Sequence, residues 1–300
     1  MRMTLRQLQL FCAVAQTGST TAAGESVSLS QSATSAALGE FETILGALLF
    51  DRVGKRLVLN DSGRALLPDA RALLDGAQAV EDGFRFAARG MAQADLRLGA
   101  STTIGNYLLP GVLAAFRQRV PGSLLQVRIG NTQEIATAVA DFAIDLGLIE
   151  GPCHLPDLVV LPWLEDELVI VAAPTHPLAR AARGARLNVR QLRNAPWLLR
   201  EPGSGTREAV EHVLLPHLQH LAADMTLGSS EAIKNAVVQG LGTSCLSRCV
   251  VEDLIAAKRL VVLPTTLPKL RRRFALIHHR KKLLSAALRL FVAECHAPAR

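Results

Sequence analysis

At 300 residues, 49% of them apolar, the chain exceeds the roughly 100–200 residues of one domain, so two or more cores are expected. Its longest apolar stretches, such as residues 167–174, fall far short of the ~20 residues a bilayer needs, and no signal-type run opens it; the expectation is a soluble cytoplasmic protein with no membrane partner. The formal charge of +7 points to nucleic acid, but residues 1–93 carry nine Lys/Arg against nine Asp/Glu and residues 94–265 carry 15 against 16, so the excess lies in the last 35 residues, nine against one.

In chain order, Thr4 and Gln7 have the spacing of a capping box, and Leu5, Leu8, Phe11, Cys12 and Ala15 recur at helical spacing until Gly18. A short helix over residues 20–27, a polar turn through Ser28–Ser30 and a third helix from Gln31 to about Leu45 follow, the last with Ser30 as N-cap and Ala37, Leu38, Phe41 and Leu45 inward. Two helices joined by a three-residue turn match a helix-turn-helix. Residues 49–59 then show two apolar runs around Val53-Gly54-Lys55, a hairpin wing whose Arg52, Lys55 and Arg56 can reach phosphates, although a plain solvated turn also fits. From Asp61 on, Leu66, Ala70, Leu73, Ala77, Val80 and Phe84 alternate spacings of four and three, a heptad seam suited to a partner helix and a homodimer.

The stretches LRQLQLFCAVAQTGSTTAA and LSQSATSAALGEFETILGALLFDRVGKRLVLNDSGRALL resemble the N-terminal pattern of the LysR-type transcriptional regulators. The resemblance implies a homotetramer on double-stranded promoter DNA, with RNA polymerase as a further partner. It places Gln31, Ser32, Ser35 and Ala36 at the major groove and Arg52 at phosphate. Where the family usually has proline this chain has Ser32, and where it often has arginine it has Ala36. With Gly39 also on that face, base readout is expected to be modest and to lean on thymine methyls, DNA shape and half-site spacing.

Beyond residue 94, strand-like and helix-like runs alternate: 96–100, 104–119, 124–129, 133–142 and 144–149, then 167–173, 197–200, 207–218, 225–227, 231–239, 244–246 and 252–257, with a closing strand at 273–278 and a helix at 285–294. The expected fold class is α/β with an all-α winged helix-turn-helix N-terminal domain (1–60), a linker and dimerisation helix (61–92) and a two-lobed effector domain like a type 2 periplasmic binding protein (93–300). Lobe I takes about 93–163 and 268–300, lobe II about 164–267. Hydroxyls and amides open several of the helices: Ser101, Thr102 and Thr103; Asn131 and Thr132; Ser204, Gly205 and Thr206; Ser229 and Ser230. Helix N-termini suit an anion, though each alone is an ordinary N-cap, and Arg207 either adds a charge or is solvated.

The LysR resemblance puts the effector between the lobes at these loops. The stretches STTIGNYLLP, LREPGSGTRE and SCLSR look closest to its sulfur-oxyanion and carbon-fixation branches, so the effector is expected to be sulfite, sulfate or a phosphorylated metabolite. A solute-binding module without DNA activity is the rival reading, which residues 1–60 oppose. Catalysis is not expected: GxSxG, HExxH and CxxC are missing, the histidines have no ligand spacing, and neither metal nor cofactor is called for. Cys12, Cys153, Cys245, Cys249 and Cys295 read as reduced thiols, with a Cys245/Cys249 redox pair left open. The basic tail from Lys269 reads as a strand with cationic flanks rather than a DNA-binding element.

Overall fold

The computed structural model describes residues 3–54, 56–88 and 94–297, without the side chains of residues 82 and 85–88. The chain divides into two compact units, residues 1–88 with 281–286 and residues 89–280 with 287–300. No helix among the described residues is long and apolar enough to cross a membrane.

In the first unit Thr4 caps α1 (Leu5–Thr17): its side chain accepts from the Gln7 N–H at 3.2 Å, and the Gln7 side chain accepts from the Thr4 N–H at 3.0 Å. α1 ends at Gly18 in the left-handed region, φ +67°. α2 (Thr20–Ser26) and α3 (Gln31–Leu45) follow, with Ser28 of the turn at φ +58° and Ser30 accepting from the Ala33 N–H. The helices approach closely because residue 24 is glycine: a Cβ there would lie 2.7 Å from both the Leu29 carbonyl and Thr34 Oγ1. That contact corrects the expected inward face of α3. Thr34, Leu38 and Phe41 are buried, whereas Leu45 is 39% exposed.

The wing forms as expected: β1 (Phe50–Val53) pairs antiparallel with β2 (Arg56–Leu59) across Gly54, φ +62°. α4 (Asp61–Ala88) spans 28 residues, about 42 Å at helical rise. The core of this unit gathers Leu8, Phe11, Val14, Ala23, Leu38, Phe41, Leu49, Phe50 and Ala70, with Leu66, Leu67 and Leu74 packed against it. Ala70 and Leu66 therefore belong to the winged-helix core rather than to an interhelical seam, and that core runs past residue 60 into α4. Leu73, Val80 and Phe84 stand 50%, 53% and 75% exposed.

The second unit contains β3 (Asp95–Ser101), α5 (Thr102–Tyr107), α6 (Leu109–Arg119), β4 (Leu124–Gly130), α7 (Thr132–Ala140) and β5 (Leu146–Glu150). β6 (Leu158–Ala172) leads on to α8 (Pro177–Ala181), α9 (Val189–Arg193), β7 (Trp197–Arg200), α10 (Gly205–Leu218), β8 (Ala223–Leu227), α11 (Ser230–Val238), β9 (Ser244–Ser247), α12 (Arg248–Ala256) and β10 (Val261–Val262). β11 (Leu270–His279) and α13 (Ala286–Cys295) close the chain. β3 lies parallel between β4 and β5, β11 runs antiparallel to both β5 and β6, and β6 also carries β9 and β10. The lobe boundary thus falls inside two continuous strands, β6 and β11. Their register shifts between Arg273 and Ala275.

Each lobe has its own packing. Ile135, Val139, Ile149, Leu158 and Ile277 cluster in lobe I, where Phe116 meets Phe291 edge-on at 5.3 Å. In lobe II the twofold period of β6 sends Leu168, Ile170 and Ala172 to one core and Val169 and Val171 to another. The helix expected over 104–119 breaks into α5 and α6 at Leu108, just before Leu109-Pro110.

Candidate functional site

The expected site residues gather on two faces. In the first unit Gln31, Ser32, Ser35 and Ala36 are exposed along α3, beside an open Gly39, and Arg52 and Arg56 are exposed on the wing; Lys55 lies outside the described residues. The face is as plain as its sequence: small side chains that admit close backbone approach, flanked by guanidiniums that can meet phosphate.

In the second unit the carboxyl ends of β3, β5 and β7 converge with the amino ends of α5, α7, α10 and α11, the position at which open α/β sheets bind ligands. At its centre is Glu150, the last residue of an all-buried strand and 1% exposed. Its carboxylate accepts from the Thr103 N–H at 3.2 Å and from Thr206 Oγ1 at 2.8 Å, and pairs with Arg272 Nη1 at 2.6 Å. Its carbonyl accepts from Thr132 Oγ1 at 2.8 Å. Arg272 in turn donates from Nε to Asp166 at 2.6 Å, and Asp166 accepts from Ser247 Oγ at 2.6 Å. Burial pushes the Glu150 carboxyl up, but Arg272, the Thr206 hydroxyl and Thr103 outweigh it and hold the group below its ordinary value.

A second cation, Arg200, ends the all-buried strand β7 and links the lobes: Nη1 donates to Thr102 Oγ1 at 2.8 Å and to Ser230 Oγ at 3.1 Å, while Nε and Nη2 hold Glu201. Burial raises the Glu201 carboxyl, and the Arg200 hydrogen bonds bring it below its ordinary value. On the outer side Tyr107 of α5 reaches Glu231 of α11, and Lys234 Nζ donates to the Tyr107 hydroxyl at 2.7 Å.

The expected site residues divide into three groups. Thr102, Thr103, Thr132, Gly205 and Thr206 meet around Glu150 and Arg200, and Ser101, fully buried, starts the same turn as Thr103. Asn131 and Ser204 cap α7 and α10, as Ser229 caps α11; Asn131 Nδ2 also reaches Glu201 at 3.5 Å. Arg207 turns away, pairing with Glu211 and donating to the Arg200 carbonyl at 3.0 Å. Three polar atoms at this junction are buried without a hydrogen bond: Ser101 Oγ, Thr103 Oγ1, which lies beside the Glu150 carboxylate outside bonding geometry, and Arg272 Nη2. Each such group costs about 1–3 kcal/mol.

Sequence reasoning missed Glu150, Asp166, Arg200 and Arg272. A signal for Arg272 existed: in Leu270-Arg-Arg-Arg-Phe274 strand alternation buries positions 270, 272 and 274 and exposes 271 and 273. Among the tail's other cations, Arg271 pairs with Glu165 at 3.2 Å and Arg280 with Asp157 at 3.7 Å. Four of the thiols are held protonated by burial, which pushes Cys245 and Cys295 up to about 12 and Cys12 to about 11, and raises Cys249. All five cysteines are free, and no group of three or more metal-ligating side chains occurs among the described residues.

Lobe contact at Gly205 is tight enough to test. A Cβ there would lie 1.5 Å from the Glu150 carbonyl and 2.4 Å from Thr132 Oγ1. Gly205→Ala is expected to hold the lobes apart at this point, seen as faster amide exchange in α7 and α10 with α1–α3 unchanged; unaltered exchange at both helices would refute the reading.

A winged helix-turn-helix joined through a long helix to a two-lobed α/β unit with a polar interlobe junction defines a ligand-responsive DNA-binding protein. The model of the bacterial regulatory helix-turn-helix protein, lysR family, matches residues 5–64, and that of the LysR substrate binding domain matches residues 89–299. The chain belongs to the LysR family of transcriptional regulators. It is 51% identical to the HTH-type transcriptional regulator YeiE of Escherichia coli K12 over 295 residues, 98% of each chain. It is 33% identical to the RuBisCO operon transcriptional regulator of Allochromatium vinosum over 292 residues, 97% of this chain and 95% of that one. Among solved structures, the regulatory domain of Synechocystis CcmR in complex with 2-PG superposes with a TM-score of 0.62 at 30% identity, covering 69% of this chain and 97% of that one. Full-length OxyR from Pseudomonas aeruginosa, TM-score 0.75 at 23% identity over 98% and 94% of the chains, shares the fold. The family and these relatives are regulators of transcription, not enzymes.

Proposed function

We propose that this LysR-family chain is a cytoplasmic regulator, dimeric through α4 and tetrameric on promoter DNA, whose contact with RNA polymerase is set by a small oxyanion held between the lobes. The observation that carries the effector class is the environment of Glu150. Thr103 N–H, Thr206 Oγ1 and Arg272 already bind an oxygen anion, the protein's own carboxylate, in the way an effector oxyanion needs. An entering anion that carries a proton to the Glu150 carboxylate and shares Arg272 with it, rather than displacing it, also gives partners to Ser101 Oγ and Arg272 Nη2 and removes their cost.

Charge narrows the class. Arg200 and Arg272 face Glu150, Asp166 and Glu201, which leaves no surplus positive charge for a bulky dianion. A compact oxyanion able to carry a proton, such as sulfite, fits best. A phosphorylated metabolite of carbon metabolism is the second reading, supported by the relative named for the RuBisCO operon and by the 2-PG complex of the CcmR domain. Either effector works by population shift, and only to the extent that it binds one lobe arrangement better than the other. On DNA, Ser32, Ser35 and Ala36 with the wing cations Arg52, Lys55 and Arg56 favour shape and methyl readout, with Gln31 as the amide donor.

The test is thermal unfolding of the full chain with sulfite, sulfate, thiosulfate, phosphate and phosphorylated sugars. At about 100 times its dissociation constant the right anion adds about 2.7 kcal/mol, and Thr206→Val or Thr103→Val lowers the gain. A midpoint that no anion moves would exclude the oxyanion reading, and a response to phosphorylated sugars alone would favour the second.

A further inference from the structure

A cavity of about 280 Å³ opens beside the paired strands β6 and β11, against α10. Its walls are mainly apolar, Val160 and Pro162 of β6, Phe274 of β11, and Ala209 and Val213 of α10, with His212 of α10 beside them. These residues lie outside the Glu150 junction described above. At the register shift between Arg273 and Ala275 the lining includes the outward Arg271 and Arg273 as well as the inward Arg272 and Phe274. Arg271 and Arg273 are 61% and 78% exposed and share the carboxylate of Glu165, at 3.2 and 3.9 Å, so the rim keeps an excess of positive charge.

We infer that this cavity is a ligand site for a small aromatic or branched aliphatic monocarboxylate. Three features define that chemistry. The volume, above the ~150 Å³ that holds a benzene ring and just under the ~300 Å³ of a small ligand pocket, suits about six to nine carbons. The lining rejects a fully polar ion, because apolar walls give nothing in return for its lost hydration. One surplus guanidinium at the rim complements one carboxylate, with bidentate geometry available from Arg273.

The site also has a route to the rest of the molecule. Arg272, part of the cavity lining, stacks over Phe274 at 5.0 Å and holds Asp166 through Nε and Glu150 through Nη1, donors in the plane of the same guanidinium. An occupant that shifts Phe274 therefore acts on the guanidinium at the centre of the interlobe junction. Phe274 also packs against Trp163 at 6.4 Å, and the half-buried Cys153 lines the cavity, so occupancy has two local reporters.

The experiment follows alkylation of Cys153 in the full chain by iodoacetamide, read by peptide mass spectrometry, with phenylacetate as the probe. At about ten times its dissociation constant phenylacetate is expected to slow the reaction about tenfold by mass action, whereas acetate leaves the rate unchanged. Val213→Trp fills the cavity and should abolish the protection. Val160→Trp does the same from a residue 46% exposed in the native chain, where folding is not at stake. Arg273→Gln should weaken protection, taken as the ratio of that variant's own alkylation rates with and without phenylacetate. No protection at any phenylacetate concentration, or full protection persisting in Val160→Trp, would overturn the site; equal protection by neutral phenylacetamide would overturn the acid class.

Discussion

Replacing Arg272 with methionine is expected to destabilise the second unit by about 3–5 kcal/mol near neutral pH, the usual cost of removing one partner from a buried ion cluster. The side chains of Arg272, Glu150 and Asp166 are 2%, 2% and 7% exposed, so the two carboxylates would be left without a counterion and out of reach of water. The pH dependence should change sign. In the parent, burial raises the Glu150 carboxyl but Arg272 and the Thr206 and Thr103 hydrogen bonds bring it net below its ordinary value. Its contribution is therefore present above about pH 4.3, the ordinary glutamate value, and is lost as pH falls through the lower folded value. In the variant burial dominates, the folded value rises above the ordinary one, and the chain gains stability as pH falls from 7.5 to 5. Urea unfolding at the two pH values checks this. A loss below about 1 kcal/mol at pH 7.5, or a variant no more stable at pH 5 than at 7.5, would remove Arg272 from the centre of the junction. Adding Glu150→Gln to the variant should recover part of the loss.

How far such a site can be seen in a sequence depends on what kind of signal each residue leaves. Thr4, Ser30, Asn131 and Ser204 were legible as N-caps because capping is local and repeats at fixed offsets from an apolar run. The winged helix-turn-helix was legible for the same reason, with α3 rising from Ser30 and the hairpin turning at Gly54. Glu150 and Arg200 were not, because each reads as the polar end of an apolar strand, and only the β3–β5 and β7–β8 pairings set Glu150 beside the start of α5 and Arg200 beside the start of α11. Arg272 was hidden by its neighbours: three consecutive arginines suggest a solvated flank, and the alternation that buries the middle one is recognised only once Leu270 and Phe274 are known to face inward. Thr34 shows the opposite limit, a polar residue on the core face of α3 that apolar periodicity assigns to solvent. Its burial follows from Gly24, whose missing side chain lets the two helices touch. The common cause is that charge pairs across the lobes are non-local, whereas caps, turns and amphipathic stripes are written within one turn.

The seam of α4 yields the second large effect. Leu66 and Ala70 serve the winged-helix core, so the apolar positions left for a partner are Leu73, Ala77, Val80 and Phe84, spaced four, three and four apart on one helical face. Leu73→Glu together with Val80→Glu is expected to give a monomer whose first unit still folds, because both side chains are at least half exposed and neither belongs to the core. Leu66→Glu should instead unfold that unit, which separates loss of assembly from loss of fold. Operator affinity in the double variant should fall by about 10²–10⁴, the gain that linking two binding modules provides. The fall should be steep here because residues 1–93 carry no net charge and the recognition face offers Gln31 as its amide, so a single winged helix holds DNA weakly on its own. Sedimentation of the full chain measures the assembly, and gel shift against the operator and its isolated half-site measures the affinity. A monomeric double variant that binds the full operator as tightly as the parent would show that one unit suffices. An unchanged dimer mass would place the interface elsewhere on the chain.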